Sequence, residues 1–346
     1  MLLDEFDYQL PESAIAQEPL DDRSSARLLV DVDGRIDHRT IWDLPDLLGP
    51  GDVVVLNDTR VIPARLPARR PTGGLAEVLL LEPIDCGSDR WEALVRPSRK
   101  VPPGTLLTVG DRMAVRVLDD LGEGRRLVEV ESADDLAAAL DRYGRIPLPP
   151  YLTTALTDPE RYQTVYSRRP ASAAAPTAGL HFTDRVLDRC RAAGARVERL
   201  ELVVGLDTFR PVTVDDLDDH RMYSEAYTVS QATLEACRGA DRVVAVGTTT
   251  TRALEAAART GLSGRTDLFI RRPFDFQVVD LLLTNFHLPR TTLLVMLDAF
   301  IGPYWRDRYD LALAEGYRFL SFGDAMLVDR HLHQPEASGM PVGESR

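Results

Sequence analysis

Short apolar runs, each closed by a polar cluster, recur along this chain. Val53-Val54-Val55-Leu56 runs into Asn57-Asp58-Thr59-Arg60, and Val243-Val244-Ala245-Val246 into Gly247-Thr248-Thr249-Thr250-Thr251-Arg252. Residues 278–283 do the same before Thr284-Asn285-Phe286-His287. Near-continuous apolar runs of this length, broken in the last case only by Asp280, predict strands covered on both faces, the habit of parallel sheets. The segments 28–30 and 196–204 predict two more strands, and 319–326 a final strand or turn. Between them the spacing turns helical. Thr183 is an N-cap for a helix carrying Val186, Leu187 and Cys190 up to Gly194. Further helices are predicted at 40–48, 231–238, 253–258, from Thr291 onward, and at 309–315, with 247–252 read as a hydroxyl-rich loop. Strand and helix alternate, which is the pattern of an α/β domain.

From Pro63 to Glu131 the pattern changes. Strand-like segments at 76–81, 91–95, 106–109, 113–118 and 126–130 are separated by Gly, Pro and Asp turns. Such short, evenly spaced strands predict a small antiparallel barrel. A helix at 134–143 and a proline-rich extended stretch at 146–151 lead back to the alternating pattern. The expected organisation is therefore a discontinuous α/β domain, 1–62 and 147–330, interrupted by a β-barrel domain, 63–146. A disordered tail follows at 331–346.

The stretch Ser172–Cys190 has a small-residue, turn-prone half containing Thr177 and Gly179, then His181 at the junction with a helix N-terminus. Backbone N–H groups and the positive end of a helix dipole meet there. If the sheet is mainly parallel, the loops at 57–60, 176–182, 205–209, 247–252 and 284–287 gather on one edge and form one crevice. That crevice holds two histidines and many hydroxyls, which suits a neutral or cationic small molecule carrying ribose. No GxGxxG or P-loop spacing supports a dinucleotide or ATP.

Composition narrows this further. Cys86, Cys190 and Cys237 are scattered and the six histidines lack ligand spacing, so no disulfide framework or metal site is expected. No apolar segment is long enough for a membrane span, and a cytoplasmic protein is expected. The net charge of −13 opposes nucleic-acid binding, yet arginines cluster at 65–70, 96–99, 168–169 and 271–272.

The runs NDTRVIPARL, GRIPLPPY, ERYQTVYS, AAAPTAGLHFT, VGTTTTRALE, VVDLLLTNFHLP and FGDAMLV, spread from Phe6 to Val328, together resemble the S-adenosylmethionine:tRNA ribosyltransferase-isomerase family of queuosine biosynthesis. The resemblance implies a three-layer α/β sandwich with an inserted small antiparallel β-barrel. It also implies transfer and isomerisation of the ribosyl part of S-adenosylmethionine onto 7-aminomethyl-7-deazaguanine at the tRNA wobble position, releasing adenine and methionine. The partners implied are S-adenosylmethionine and that tRNA, with no cofactor beyond S-adenosylmethionine as substrate, no membrane, and a monomeric protein.

The sulfonium acidifies the ribose C5′ hydrogens, so His181 or His287 is expected as general base, with Glu225 a weaker candidate. Asp58 or a histidine would protonate departing adenine. Thr248, Thr249 and Thr250 would hold ribose hydroxyls or the methionine carboxylate, and Arg60 and Arg252 a carboxylate or phosphate. Asn57, Thr177, Gly179, Thr208, Gly247, Asn285 and Phe286 complete the expected substrate-binding set. The chain departs from the family pattern at three places: Val203 stands where a histidine is usual, Arg271-Arg272-Pro273 precedes Phe274 where an aromatic and a proline are usual, and Gln277 stands where a basic residue is frequent. They leave open two alternatives, ribosyl transfer to a free small acceptor and a non-catalytic RNA-binding relative.

Overall fold

The computed structural model describes residues 1–85, 87–205 and 212–333. In chain order the main domain begins with β1 (Arg27–Val32), β2 (Arg35–Thr40), β3 (Asp52–Asn57) and β4 (Thr59–Val61). The insert follows as β5 (Arg65–Arg69), β6 (Leu75–Pro83), β7 (Arg90–Arg96), β8 (Leu106–Val109), β9 (Met113–Gly122) and β10 (Arg125–Ser132), closed by α1 (Leu136–Tyr143). The chain returns through β11 (Arg169–Ser172), α2 (Asp184–Ala192), β12 (Arg196–Leu202), β13 (Glu225–Val229), α3 (Gln231–Arg238), β14 (Arg242–Val246), α4 (Thr248–Thr260), β15 (Ser263–Thr266), β16 (Leu281–Asn285), α5 (Thr292–Ile301), α6 (Trp305–Ala314) and β17 (Ala325–Asp329).

Among the described residues the main sheet has nine strands in the order β15-β13-β12-β3-β14-β16-β17-β1-β2. The central run β12, β3, β14, β16 is parallel throughout, so four carboxyl ends share one edge. Antiparallel strands flank it, with β13 beside β12 and β17 beside β16. Side chains alternate across each strand. Val53, Val55, Ala245 and Leu282 pack under α3, α4, α5 and α6, and Val54, Leu56, Val244 and Leu283 pack under α2 and the 3₁₀ turn Ile41–Leu47. This is a sandwich of helices, sheet and helices, as expected, with a closed antiparallel barrel β10-β7-β6-β5-β8-β9 inserted between β4 and α1.

Several local expectations are corrected. The segment 40–48 finishes an exposed edge strand at Thr40 and continues as 3₁₀ helix, because Pro45 lies inside it and removes an α-helical donor. The polar residues of β2 hid that strand, since none of them alternates with a buried apolar neighbour. The strand β5 was missed for a related reason: its exposed positions are Pro67 and Arg69. Arg330, at the end of the main domain, is tied to Asp280 and to the Phe276 carbonyl, and of the expected tail His331–His333 forms one 3₁₀ turn. Residues 334–346 lie outside the described residues.

Candidate active site

The four parallel strand ends bring Asn57, Leu202, Gly247 and Asn285 to one edge of the sheet, and the chain beyond each supplies polar groups. Asn57 is buried and clamps two strands: its Nδ2 donates to Leu202 O at 3.0 Å and to Thr249 Oγ1 at 3.3 Å, and its Oδ1 accepts from Leu202 N at 3.1 Å. Both amide hydrogens are engaged, so Asn57 shapes the floor and does not present a free donor. As placed, the side chain expected to bind substrate is engaged within the protein.

Gly247 adopts φ +92, and a Cβ built there would stand 3.5 Å from Ala178, an ordinary contact. Backbone conformation, not crowding, calls for glycine here. The turn it permits lets α4 start at once, so Thr248, Thr249, Thr250 and Thr251 form the helix's first turn and not the loop expected. Thr250 Oγ1 donates to Val246 O at 2.7 Å and Thr251 Oγ1 to Gly247 O at 3.3 Å. Both are fully buried, so Thr250, expected to hold a ribose hydroxyl or the methionine carboxylate, has its hydroxyl turned to its own helix as placed. Thr248 and Thr249 remain, beside the first-turn N–H groups that no helical carbonyl can reach. Deeper on the same helix, Arg252 pairs with Glu225, whose Oε1 also accepts from Gly205 N at 2.9 Å. Glu225 is 2 % exposed, so it is a buried anchor for the start of the Gly205 loop and not a surface carboxylate. Thr208 lies outside the described residues.

His181 ends the 3₁₀ turn Thr177–His181, which Gly179 lets pack closely: a Cβ there would fall 2.0 Å from the Tyr166 hydroxyl. Thr177 stays half-buried at the start of the turn. His181 is buried, and burial first, then the Arg318 and Arg23 charges, hold its imidazole down to a pKa of about 4. Its Nε2 lies 2.8 Å from Asn285 Nδ2, which also donates to Asp324 O at 3.4 Å. With the carboxamide held that way by the Asp324 carbonyl, His181 Nε2 accepts, its proton sits on Nδ1, and Asn285 Oδ1 is left buried and unpartnered.

His287 lies across the sheet from this. Its Nε2 is 3.0 Å from Thr284 Oγ1, its N–H donates to the Tyr309 hydroxyl at 2.9 Å, and its carbonyl accepts from Tyr8. Burial alone pushes its imidazole down to a pKa of about 3. Phe286 beside it, expected among the substrate-binding residues, is fully buried and stacked on Phe319 with ring centroids 4.7 Å apart. Asp58 is set apart as well. It faces an open groove lined by Arg168, Arg199, Glu201 and Thr228, where burial pushes its carboxyl up against the opposing pull of Arg168 and Arg199. The strand β14 separates it from the Asn285 end of β16. Arg60 is engaged locally with Ser167 and Glu160.

The structure thus brings His181 to Asn285, Asn57 to Thr249, and Glu225 to Arg252, and separates Asp58, Arg60 and Phe286 from them. The sequence reading missed Arg23, Arg161 and Arg318, which surround His181, and Asp324, which accepts from Arg27 N and Arg318 N and holds that loop. The polar run 22–27 before the first sheet strand was the available signal. Among the described residues, no group of three His, Cys, Asp or Glu is placed to hold a metal ion, and no helix is long and apolar enough to cross a membrane.

Comparison with known proteins gives a consistent picture. Residues 3–328 match the family model described as queuosine biosynthesis protein. An S-adenosylmethionine:tRNA ribosyltransferase-isomerase from Rubrobacter xylanophilus is 51% identical over 332 residues, covering 95% of this chain and 98% of its own. One of the same name from an Azoarcus species is 50% identical over 344 residues, covering 96% and 98%. The crystal structure of S-adenosylmethionine tRNA ribosyltransferase from Thermotoga maritima superposes with a TM-score of 0.53 at 36% identity, covering 94% of this chain and 99% of that one.

Proposed function

The chain belongs to the queuosine biosynthesis protein family, and from that premise we infer its reaction and the parts its residues take in it. It is an enzyme with S-adenosylmethionine:tRNA ribosyltransferase-isomerase activity, acting on S-adenosylmethionine and tRNA. The carrying observation is the match along residues 3–328, which includes every strand end that builds the crevice. As a finer reading, the acceptor is the aminomethyl nitrogen of 7-aminomethyl-7-deazaguanine at the wobble position. S-adenosylmethionine is the only small molecule needed, with no further cofactor, and the protein acts as a monomer.

The chemistry asks for a base at C5′, where the sulfonium makes a C–H bond acidic, and for a proton on the departing adenine. His181 is the favoured proton-transfer residue. It is neutral at pH 7, borders a cleft, and is hydrogen-bonded to a side chain with a buried free acceptor. As placed, its Nε2 lone pair is occupied by Asn285. Rotation of that carboxamide would turn Oδ1 toward Nε2–H and free the Nδ1 lone pair for a proton, so Asn285 sets which nitrogen is the base. Thr248, Thr249 and the first-turn amides of α4 suit ribose oxygens. His287, engaged with Thr284 and flanked by tyrosines, is assigned to packing.

Adenine release from labelled S-adenosylmethionine tests the reading. Release is expected only when tRNA carrying the deazaguanine is present. Release with the free base alone, or none under any condition, would overturn it.

A further inference from the structure

The cleft against His181 is lined by Arg23, Arg161 and Arg318 together with Leu180, Ser321 and Gly323. Each guanidinium is held by backbone carbonyls. Arg23 donates to Gln163 O at 2.6 Å and Glu160 O at 2.7 Å, Arg161 to Asp21 O at 3.2 Å and to Leu20 O, and Arg318 to Phe322 O at 2.9 Å and Glu18 O at 3.4 Å. The acids nearby make their hydrogen bonds and ion pairs elsewhere: the Asp158 carboxylate, whose charge Arg23 feels only through space, accepts from Glu160 N. The Glu160 carboxylate pairs with Arg60, and both Asp324 oxygens accept backbone N–H groups. The Arg161 Nε is buried with no partner.

This differs from the chain's habit. Arg242 is neutralised by Asp52 and Arg308 by Asp31, each at 2.7 Å. In a protein of net charge −13, three half-buried guanidiniums aimed by carbonyls, none in ion-pair contact with a carboxylate among the described residues and only Arg23 feeling the charges of Asp158 and Glu160 through space, form a site with surplus positive charge. Carbonyls orient a guanidinium without cancelling its charge, and its planar fork matches an oxyanion.

We propose that Arg23, Arg161 and Arg318 form an oxyanion subsite that seats an anionic group of the substrates next to His181. Resting on the activity inferred above, the oxyanion is either the carboxylate of the methionyl part of S-adenosylmethionine or a backbone phosphate of the tRNA. Its arrival has a consequence for the proton-transfer step. Arg318 and Arg23 are two of the causes that hold the imidazole neutral, so an anion between them offsets their charge and raises the basicity of His181 once substrate is bound.

Arg161→Gln and Arg318→Gln, each beside its Lys counterpart, test the subsite through separate KM values for S-adenosylmethionine and tRNA. Loss of a charged hydrogen bond predicts a rise of about tenfold or more, partly restored by Lys. A rise confined to S-adenosylmethionine identifies the carboxylate. A rise for tRNA, with a salt slope shallower by about one, identifies a phosphate. Both support the subsite. In parallel, inorganic sulfate at constant ionic strength is titrated against the wild-type protein, where competitive inhibition and a rise in Tm absent from Arg318→Gln are expected. Unchanged KM values in Gln variants that melt like wild type, with no sulfate effect beyond that of chloride, would overturn the proposal. A wild-type protein that releases no adenine would defeat the activity assignment instead, and the sulfate-dependent Tm would still decide the subsite.

Discussion

The two buried histidines make an instructive pair. Both follow strand-edge loops, both are under a tenth exposed, and burial lowers the pKa of both. Yet they are served from opposite faces of β16. Asn285, in step with Leu281 and Leu283, reaches His181 on the α2 side; Thr284, in step with Leu282, reaches His287 on the α5–α6 side. His181 borders a cleft with three arginines. His287 is set among Tyr8, Tyr309 and Phe286, its backbone bound on both sides by tyrosine hydroxyls. A low imidazole pKa therefore does not mark a catalytic group by itself. What distinguishes the two is the arginine-lined cleft and the charge it brings nearby.

The largest expected effect breaks that comparison directly. His181→Ala should lower kcat for adenine release by about 10²–10⁴-fold, the usual contribution of a positioned acid or base, with little change in Tm. His287→Ala should do the reverse, lowering Tm while the remaining folded protein keeps most of its kcat. The opposite pattern in these two variants would exchange their roles.

Next in size is the buried pair Glu225–Arg252, whose carboxylate also holds Gly205 N. Removing one partner leaves the other charge uncompensated, so Arg252→Ala is expected to destabilise by about 3–5 kcal/mol, read from the urea midpoint. A variant unfolding like wild type would mean that Glu225 is not held as a buried carboxylate.

How much of this was legible in the sequence follows from the same physics. The strands β3 and β14 were read because both faces are buried, which leaves unbroken apolar runs. The polar termini of those strands located the edge of the sheet. What the sequence could not show was which polar group was already engaged. Thr249 and Thr250 are adjacent and chemically identical, and only helical geometry makes Thr250 bond its own i−4 carbonyl while Thr249 turns to Asn57. That Glu225 is buried against Arg252 gave no sign in the sequence, because its strand is short and lies between polar segments. Arg23, Arg161 and Arg318 come together from positions about 140 and 300 residues apart, joined through backbone carbonyls that carry no sequence signal.

Acid stability offers a smaller effect with a definite sign. Both histidines have folded pKa values, about 4 and about 3, below the ordinary 6.5. Between those limits the unfolded chain binds more protons than the folded one, so stability is fully present above about pH 6.5 and is lost as pH falls toward 4 and then 3. His287→Gln, which keeps a polar group for Thr284 but does not titrate, should flatten this acid loss measured by urea unfolding at pH 7, 6 and 5. An unaltered pH dependence would mean that His287 gains no extra proton on unfolding in this range.

The finest test concerns Asn285, which distinguishes the surroundings of His181 from those of His287 most closely. As a carboxamide it can accept from Nε2–H or donate to Nε2, so it tolerates a neutral ring in either tautomer. Asn285→Asp replaces it with an acceptor of nearly equal shape, fixes the proton on Nε2 and stabilises the imidazolium. The acid limb of kcat/KM, expected for the wild type near His181's low pKa and therefore well below neutrality, should move upward in the variant. Its kcat at pH 8 should change less than in His181→Ala. An acid limb that stays in place would show that His181 does not exchange the proton controlling the free enzyme, and that Asn285 fixes the ring's position without governing its charge.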